Sequence, residues 1–314
     1  MNLDKLFKED DKTLEKLYGR ENLRLLRAYK LALEDVQKVL SKLYQDFTNP
    51  TITELRKYGR LTKIEKQLTD VIKRLTNTSI NIISQNVKRT FISSYYQTGF
   101  IIETGTGVNF DFGILPEDSI KFAVEDNLWL DNLKNNNAKL LTDIKRDFEL
   151  TLRSNARDAV VDGLVQGKPY REVARDIKNR FDVSGARAKT IARTEMHKSH
   201  SKGRLEGIKK AQSSAERLGI DTEKIWRHNG NAKVPRPLHV ALDGTPADEN
   251  GLFNVNGDRM EAPGLGTDPA QNVNCSCSVE FRIKKIDDGL IDKDLQGMSY
   301  EDWQSRRTAK VGGV

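Results

Sequence analysis

Apolar residues recur at helical spacing through most of this chain. Leu14, Leu17, Leu23 and Leu26, then Leu33, Val36, Leu40 and Leu43, mark residues 3–47 as helical. Gly19 is predicted to divide this stretch into two helices. Asn49-Pro50 should end the second, because the residue before proline is pushed out of the α region. Thr51-x-x-Glu54 has capping-box spacing and opens a helix with Leu55, Leu61, Ile64, Leu68, Val71 and Leu75 on one stripe. Another helix follows with Ile80, Ile83, Val87, Phe91 and Tyr95. Residues 97–116 hold four glycines and end in proline, which predicts a loop or short hairpin. Leu115-Pro116-Glu117-Asp118 starts a helix carrying Ile120, Val124 and Leu128, and Lys134 to Asn137 breaks it.

The pattern continues with a helix over 138–166, on Leu141, Ile144, Phe148, Leu152, Ala156, Ala159 and Leu164. A turn at 166–169 leads to a short helix, Tyr170 to Phe181, and Ser184 is predicted to cap a further helix from Gly185 to about Ala215. The helical rhythm then stops. Short strands are predicted at 223–228, 239–242, 252–255 and 278–283, with turns at Asp243-Gly244 and Asn256-Gly257. Asn256-Gly257 is the clearest hairpin signal in the chain. Beyond Lys284 lies a charged tail, with a last helix opened by Ser299-x-x-Asp302 and anchored by Tyr300 and Trp303. That tail is expected to be mobile unless a partner holds it. The expected fold class is α+β: mainly long α-helices in the N-terminal two-thirds and a small C-terminal β-rich unit. Residues 1–115 form a helical N-terminal region. Residues 116–283 form a second domain, with helices over 117–217 and a small β unit over 220–283, and 284–314 is the tail.

Composition agrees with a helical chain of more than one segment. Of 314 residues, 31% are charged and only 7% aromatic, thin for a large β-sandwich. The net charge is +7. Residues 1–100 hold 19 Lys and Arg against 12 Asp and Glu, so the whole excess lies in this first stretch. Arg56, Lys57, Arg60, Lys63, Lys66, Lys73 and Arg74 are scattered along one predicted helix, a candidate face for nonspecific double-stranded DNA or for an acidic protein partner. A solvated helical surface is the alternative for the same residues. The start, MNLDKLFKEDDK, lacks the apolar core of a signal peptide, and no run approaches a membrane span, so a reducing cytoplasm is the expected place of synthesis.

The reactive residues concentrate between Pro235 and Glu280. This stretch holds His239, one of four histidines, both cysteines, Cys275 and Cys277, and five of the eight prolines. Cys-x-Cys is too short a loop for an unstrained disulfide. Two thiolates and an imidazole could supply three ligands of a structural Zn2+ site, with His197, His200, His228 or a carboxylate as the fourth. The alternative is two buried cysteines beside a hydrogen-bonded histidine. His228-Asn229 with His239 only superficially matches a metal-nuclease array, and no phosphate-binding loop is present.

The order of short motifs is more telling than any one of them. Ile191-Ala192-Arg193-Thr194-Glu195 lies in a helix and is followed by Gly203-Arg204. Then come Trp226, Arg236-x-x-His239, Leu242-Asp243-Gly244, Phe253, Pro263-Gly264 and Asn274-Cys275-Ser276-Cys277. Over roughly residues 140–283 this order resembles the phage Mu protein F-like family of minor head (head-morphogenesis) proteins of tailed double-stranded DNA phages. The family usually has arginine where Ser276 stands, and often an aspartate before Arg236. The resemblance implies a low-copy virion protein of the head interior near the portal, assembled in the bacterial host cytoplasm. Its partners would be the portal protein and scaffolding or major capsid protein, with DNA contact during packaging or ejection and no established enzymatic activity. It makes Arg193, Thr194, Glu195, Trp226, Arg236, His239, Asn274, Cys275 and Cys277 the family motif, holding the C-terminal unit together. The runner-up is a zinc-dependent nucleic-acid-processing enzyme on the His239, Cys275 and Cys277 cluster. A transferase joined to a head-protein domain is a third reading, for which the chain leaves little room. A pairing of Glu195 with Arg236 across helix and β unit is a further expectation.

Overall fold

The computed structural model describes residues 3–46, 53, 59–115, 141–166, 168–230 and 234–309. The predicted Asn49-Pro50 stop, the Thr51 capping box, Leu55, Arg56 and Lys57 lie outside these residues, as does the helix expected over 117–134. The side chains of Arg60, Leu61, Ile144 and Phe148 also fall outside the description.

Four long helices dominate: α1 (Leu3–Asp46), α2 (Arg60–Thr106), α3 (Leu141–Val165) and α4 (Tyr170–Arg217). A small β unit follows, with β1 (Thr222–Arg227), α5 (Pro237–Ala241), β2 (Phe253–Val255), β3 (Asp258–Met260), α6 (Pro269–Asn272) and β4 (Ser278–Ile283). A 3-10 turn at Asp288–Leu290 and α7 (Tyr300–Ala309) complete the described chain. The α+β class read from the pattern is the observed one. No helix among the described residues is long and apolar enough to cross a membrane.

The helices are longer than predicted, and glycine is the reason. Gly19 lies inside α1, and Gly99 and Gly105 lie inside α2, where a loop was expected. A Cβ on Gly99 would stand 2.6 Å from the Phe112 ring, and one on Gly105 would stand 2.5 Å from Leu3. These glycines admit close neighbours and do not break the helix. The break comes at Gly107, whose φ of +77° suits a left-handed helix end and whose N–H bonds to the Glu103 carbonyl at 2.8 Å. Likewise α4 runs without interruption through Val183-Ser184-Gly185, so Ser184 is buried mid-helix and caps nothing. The α1 stripe is also rotated from the one read. Leu23 and Leu26 are exposed, while Phe7, Tyr18, Leu25 and Tyr29 are buried.

The chain gathers into two interleaved units. One comprises Arg20–Ser84 and Asn135–Ala192. Its core takes Val36, Leu40, Ile64, Leu68, Val71, Leu75, Leu152, Ala156, Val173, Ile177 and Phe181 at the predicted spacings. A Cβ on Gly163 would stand 2.4 Å from Val173, which marks the close approach of α3 and α4 at their turn.

The other unit comprises Met1–Gly19, Gln85–Lys134 and Arg193–Val314. Here α4 lies against α2 along a line of small residues. Ser199 Oγ donates to the Val87 carbonyl at 2.6 Å, and Ser94 Oγ donates to the His200 carbonyl at 2.8 Å. A Cβ on Gly203 would stand 2.4 Å from the Phe91 carbonyl oxygen, and one on Gly207 would stand 2.9 Å from Thr98. The positions 199, 203 and 207 repeat every four residues, so one helix face is small enough for the backbones to meet.

The β unit closes over this helical layer. β1 pairs antiparallel with β4, Trp226 opposite Val279, and β2 pairs with β3. Asn256 and Gly257 both have positive φ, at 55° and 88°, the two-residue hairpin turn that the dipeptide predicted. The predicted strand at 239–242 is instead one helical turn, because Pro237 sits at its first position and Val240 N–H bonds back to Arg236. One apolar core joins the layers, with Phe7, Phe91, Ile102, Phe110, Leu205 and Ile208 meeting Trp226, Phe253, Val279 and Phe281. The tail belongs to it as well: Trp303 is wholly buried in the same core, contrary to the mobile tail expected.

Candidate functional site

His239, Cys275 and Cys277 come together although the first lies 36 residues before the second. Pro237 starts the helical turn that carries His239. Asp268 caps α6 by accepting from Ala270 N–H at 2.8 Å. Asn272, at its end, brackets Gly266 through both amide atoms. Asn274 then takes a left-handed φ of 55°, which turns the chain into Cys275. His239 Nδ1 faces both sulfurs, 3.7 Å from Cys275 Sγ and 3.6 Å from Cys277 Sγ. The other ring nitrogen, Nε2, pairs with Gln271 Oε1 at 3.0 Å, and the Gln271 amide donates to Asp268 at 3.4 Å. Trp226 lies edge-on to the His239 ring, with centroids 5.3 Å apart.

The cysteines are free thiols, both buried. A hydrogen bond from Cys277 pulls the Cys275 thiol well below its ordinary range; burial opposes this, and His197 and His239 assist it. Cys277, as the donor in that pair, is pushed up.

The other motif residues position this centre. Asn274 N–H reaches Thr194 Oγ1 at 3.4 Å, and Arg236 Nη2 donates to the Val273 carbonyl at 2.6 Å. Arg193 is used elsewhere: it forks onto Glu15 at 2.7 and 2.9 Å and stacks over Tyr18. Glu195 is buried beside Lys198, and burial raises its pKa. Glu195 and Arg236 therefore have separate partners, and the pairing expected between them is not formed. His228 and Asn229, weighed as a nuclease array, serve packing. The His228 backbone N–H bonds to Asp243, and Asn229 Nδ2 donates to the Ser276 carbonyl at 2.8 Å and to Ser278.

Three buried polar groups had no role assigned from sequence. Arg204 is fully buried, with Nη2 2.6 Å from Asp10 and 2.8 Å from Asp11. Glu280 is fully buried and takes a two-bond fork from Arg227 at 2.9 and 2.7 Å. Lys224 donates to the Gly251 and Glu261 carbonyls at 2.7 and 2.6 Å, and burial draws its pKa down to about 8. Only the diagonal of Arg227 and Glu280 across β1 and β4 carries a readable signal, once the strands are paired. Of the basic face, Lys63, Lys66, Lys73 and Arg74 are exposed along α2, and Arg74 comes within 3.8 Å of Asp35.

One family model matches this chain, that of Phage Mu protein F like protein, over residues 154–280. This segment is similar to the phage Mu protein F-like family. Two relatives extend the likeness to nearly the whole chain. Minor head protein GP7 of Bacillus phage SPP1 is 24% identical over 319 residues, covering 96% of this chain and 97% of that one. NAD(+)–arginine ADP-ribosyltransferase EFV of Enterococcus faecalis is 23% identical over 297 residues, covering 92% of this chain. This chain spans only 58% of that second protein's length. No solved structure matches the chain significantly. The Mu F-like segment contains the whole His239, Cys275 and Cys277 centre.

Proposed function

We propose that this protein is a non-catalytic, low-copy component of a tailed-phage head that joins the assembling procapsid in the host cytoplasm and sits inside it at the portal. The end-to-end match with a minor head protein carries this reading. The use made of the polar residues supports it. His239, Cys275 and Cys277 are 2%, 1% and 3% exposed, whereas a catalytic metal centre keeps a position open to substrate. The zinc-dependent enzyme is therefore not favoured. The ADP-ribosyltransferase resemblance does not shift the reading, because nearly all of this chain aligns to little more than half of that protein.

The basic face of α2 fits the same role. Lys63, Lys66 and Lys73 offer unspecific attraction to packaged DNA or to an acidic portal surface. The test is co-expression with the portal protein of the same phage. We expect the chain to elute with portal rings on size exclusion. Charge reversal at Lys63, Lys66 and Lys73 should weaken that association while leaving the fold intact. A chain that elutes alone at all salt concentrations overturns the portal assignment.

A further inference from the structure

We infer that the Mu F-like segment holds a structural zinc ion on His197, His239, Cys275 and Cys277, which fastens α4 to the loops of the β unit. Three ligand atoms are already placed. The His239 nitrogen lies 3.7 and 3.6 Å from the two sulfurs. A nitrogen and a sulfur bound to one tetrahedral zinc, with bonds of about 2.0 and 2.3 Å, lie about 3.5–3.6 Å apart. The thiols have not closed into a disulfide.

The second coordination layer is also in place. A zinc-bound histidine almost always donates its other ring N–H to an oxygen, which fixes the tautomer. His239 Nε2 meets Gln271 Oε1, and Asp268 orients that amide so that its oxygen faces the ring. This leaves the Nδ1 lone pair directed at the sulfurs. On the other side, the buried Trp226 indole N–H has no hydrogen-bond partner and stands beside Cys277.

His197 supplies the fourth ligand. It is 3% exposed, and its Nε2 has no hydrogen-bond partner. A buried ring nitrogen left unbonded costs about 1–3 kcal/mol, so its retention calls for a use. The imidazole sits next to Cys275. Gly264, at φ +83°, brings its backbone onto the ring, and a Cβ there would come within 2.9 Å of the His197 Cδ2. Only glycine lets the loop lie so close. His200, with its ring beside Asp10, and the distant His228 are not part of the set. The four ligands come from α4, from α5 and from the loop before β4. A metal would thus join the long α4 to two segments whose own secondary structure is short.

The test uses the full chain, expressed with added zinc and purified without chelator or a metal-affinity column. Elemental analysis should give one zinc per chain. Exchange with cobalt should give the intense visible bands of a tetrahedral site and a thiolate-to-cobalt charge-transfer band, and this needs no variant. Cys275→Ser and Cys277→Ser should abolish the charge-transfer band or halve it, and Gln271→Ala should weaken metal binding by about 10–100-fold. His197→Gln should loosen binding and alter the visible bands. Wild-type protein that keeps no zinc and develops no cobalt bands overturns the site. A His197→Gln spectrum identical to wild type removes His197 from it.

Discussion

Arg204→Met is expected to lower folding stability by about 3–5 kcal/mol, the cost of leaving buried charges without their partner. The guanidinium is wholly buried, over the Phe7 ring and between Asp10 and Asp11. Asp11 also accepts from Ser278 Oγ at 2.9 Å, so this one arginine joins α4, the start of α1 and the first residue of β4. Methionine keeps most of the volume and removes the charge, leaving two carboxylates facing each other in the core. Replacing both aspartates by asparagine in the same chain should recover part of the loss. The measurement is urea unfolding followed by tryptophan fluorescence.

The same cluster sets an acid dependence. Burial disfavours the charge on Asp10, but the His200 hydrogen bond and Arg204 outweigh it and hold the pKa at about 2, below the ordinary 3.8. A carboxylate with a depressed pKa contributes stability that is full above the unfolded value and is lost as pH falls through the folded one. His200 is depressed as well, first by burial and then by Arg204. The unfolded chain therefore takes up a proton near pH 6.5 that the fold resists, and stability falls on that account too as pH drops below this value. In Arg204→Met, Asp10 keeps its burial and loses its cation, so its pKa should rise. The stability gap between wild type and variant should then narrow as the pH is lowered toward 4. A gap independent of pH would show that Arg204 acts through packing alone.

Trp303→Ala should cost about 3–5 kcal/mol, the range for emptying a buried tryptophan site. Trp303 is fully buried, stacked with Tyr300 and edge-on to Phe100, and tilted against Phe112. Its indole N–H donates to Glu103 at 2.7 Å, and Arg307 binds the same carboxylate oxygen. Glu103 is itself fully buried and its other oxygen accepts from Phe110 N–H at 2.8 Å. Losing the tryptophan thus leaves a cavity and a carboxylate short of a donor. Trp303→Phe keeps most of the ring and loses only the donor, so its cost should be about 1–3 kcal/mol. Limited proteolysis is a second readout: the alanine variant should be cut between β4 and α7 much faster than wild type. Equal cutting rates would mean that Trp303 does not anchor the tail.

These two residues also mark where sequence reading fails. The helical stripes of α2, α3 and the start of α4 were legible because each buried residue repeats at the period of its own helix. Asn256-Gly257 was legible because a two-residue turn with both φ positive admits few dipeptides. The Cys-x-Cys centre was legible because its residue types are rare in this chain. Glu103 was not, since its side-chain donors lie 200 and 204 residues away and nothing local separates a buried glutamate from a solvated one. Arg204 stood in a quoted motif, but its role depends on Asp10 and Asp11, which precede the apolar stripe read from Leu14 onward. Gly99 and Gly105 misled because a glycine that admits a neighbour and a glycine that breaks a helix are the same letter. Their difference lies in Phe112 and Leu3, which no periodicity connects to them. His197 could be named only as one of several candidate fourth ligands; its unbonded Nε2 and its close packing against Gly264, which single it out for the proposed site, depend on contacts that no sequence pattern connects.

The account rests on this chain being a built-in part of a phage head. Quantitative mass spectrometry of purified procapsids and mature virions tests that most directly, with the portal protein as the internal standard. The chain should be found in procapsids, at copy numbers far below the major capsid protein, and should disappear from particles assembled without portal. Its absence from both procapsids and virions of a phage that expresses it would contradict the account.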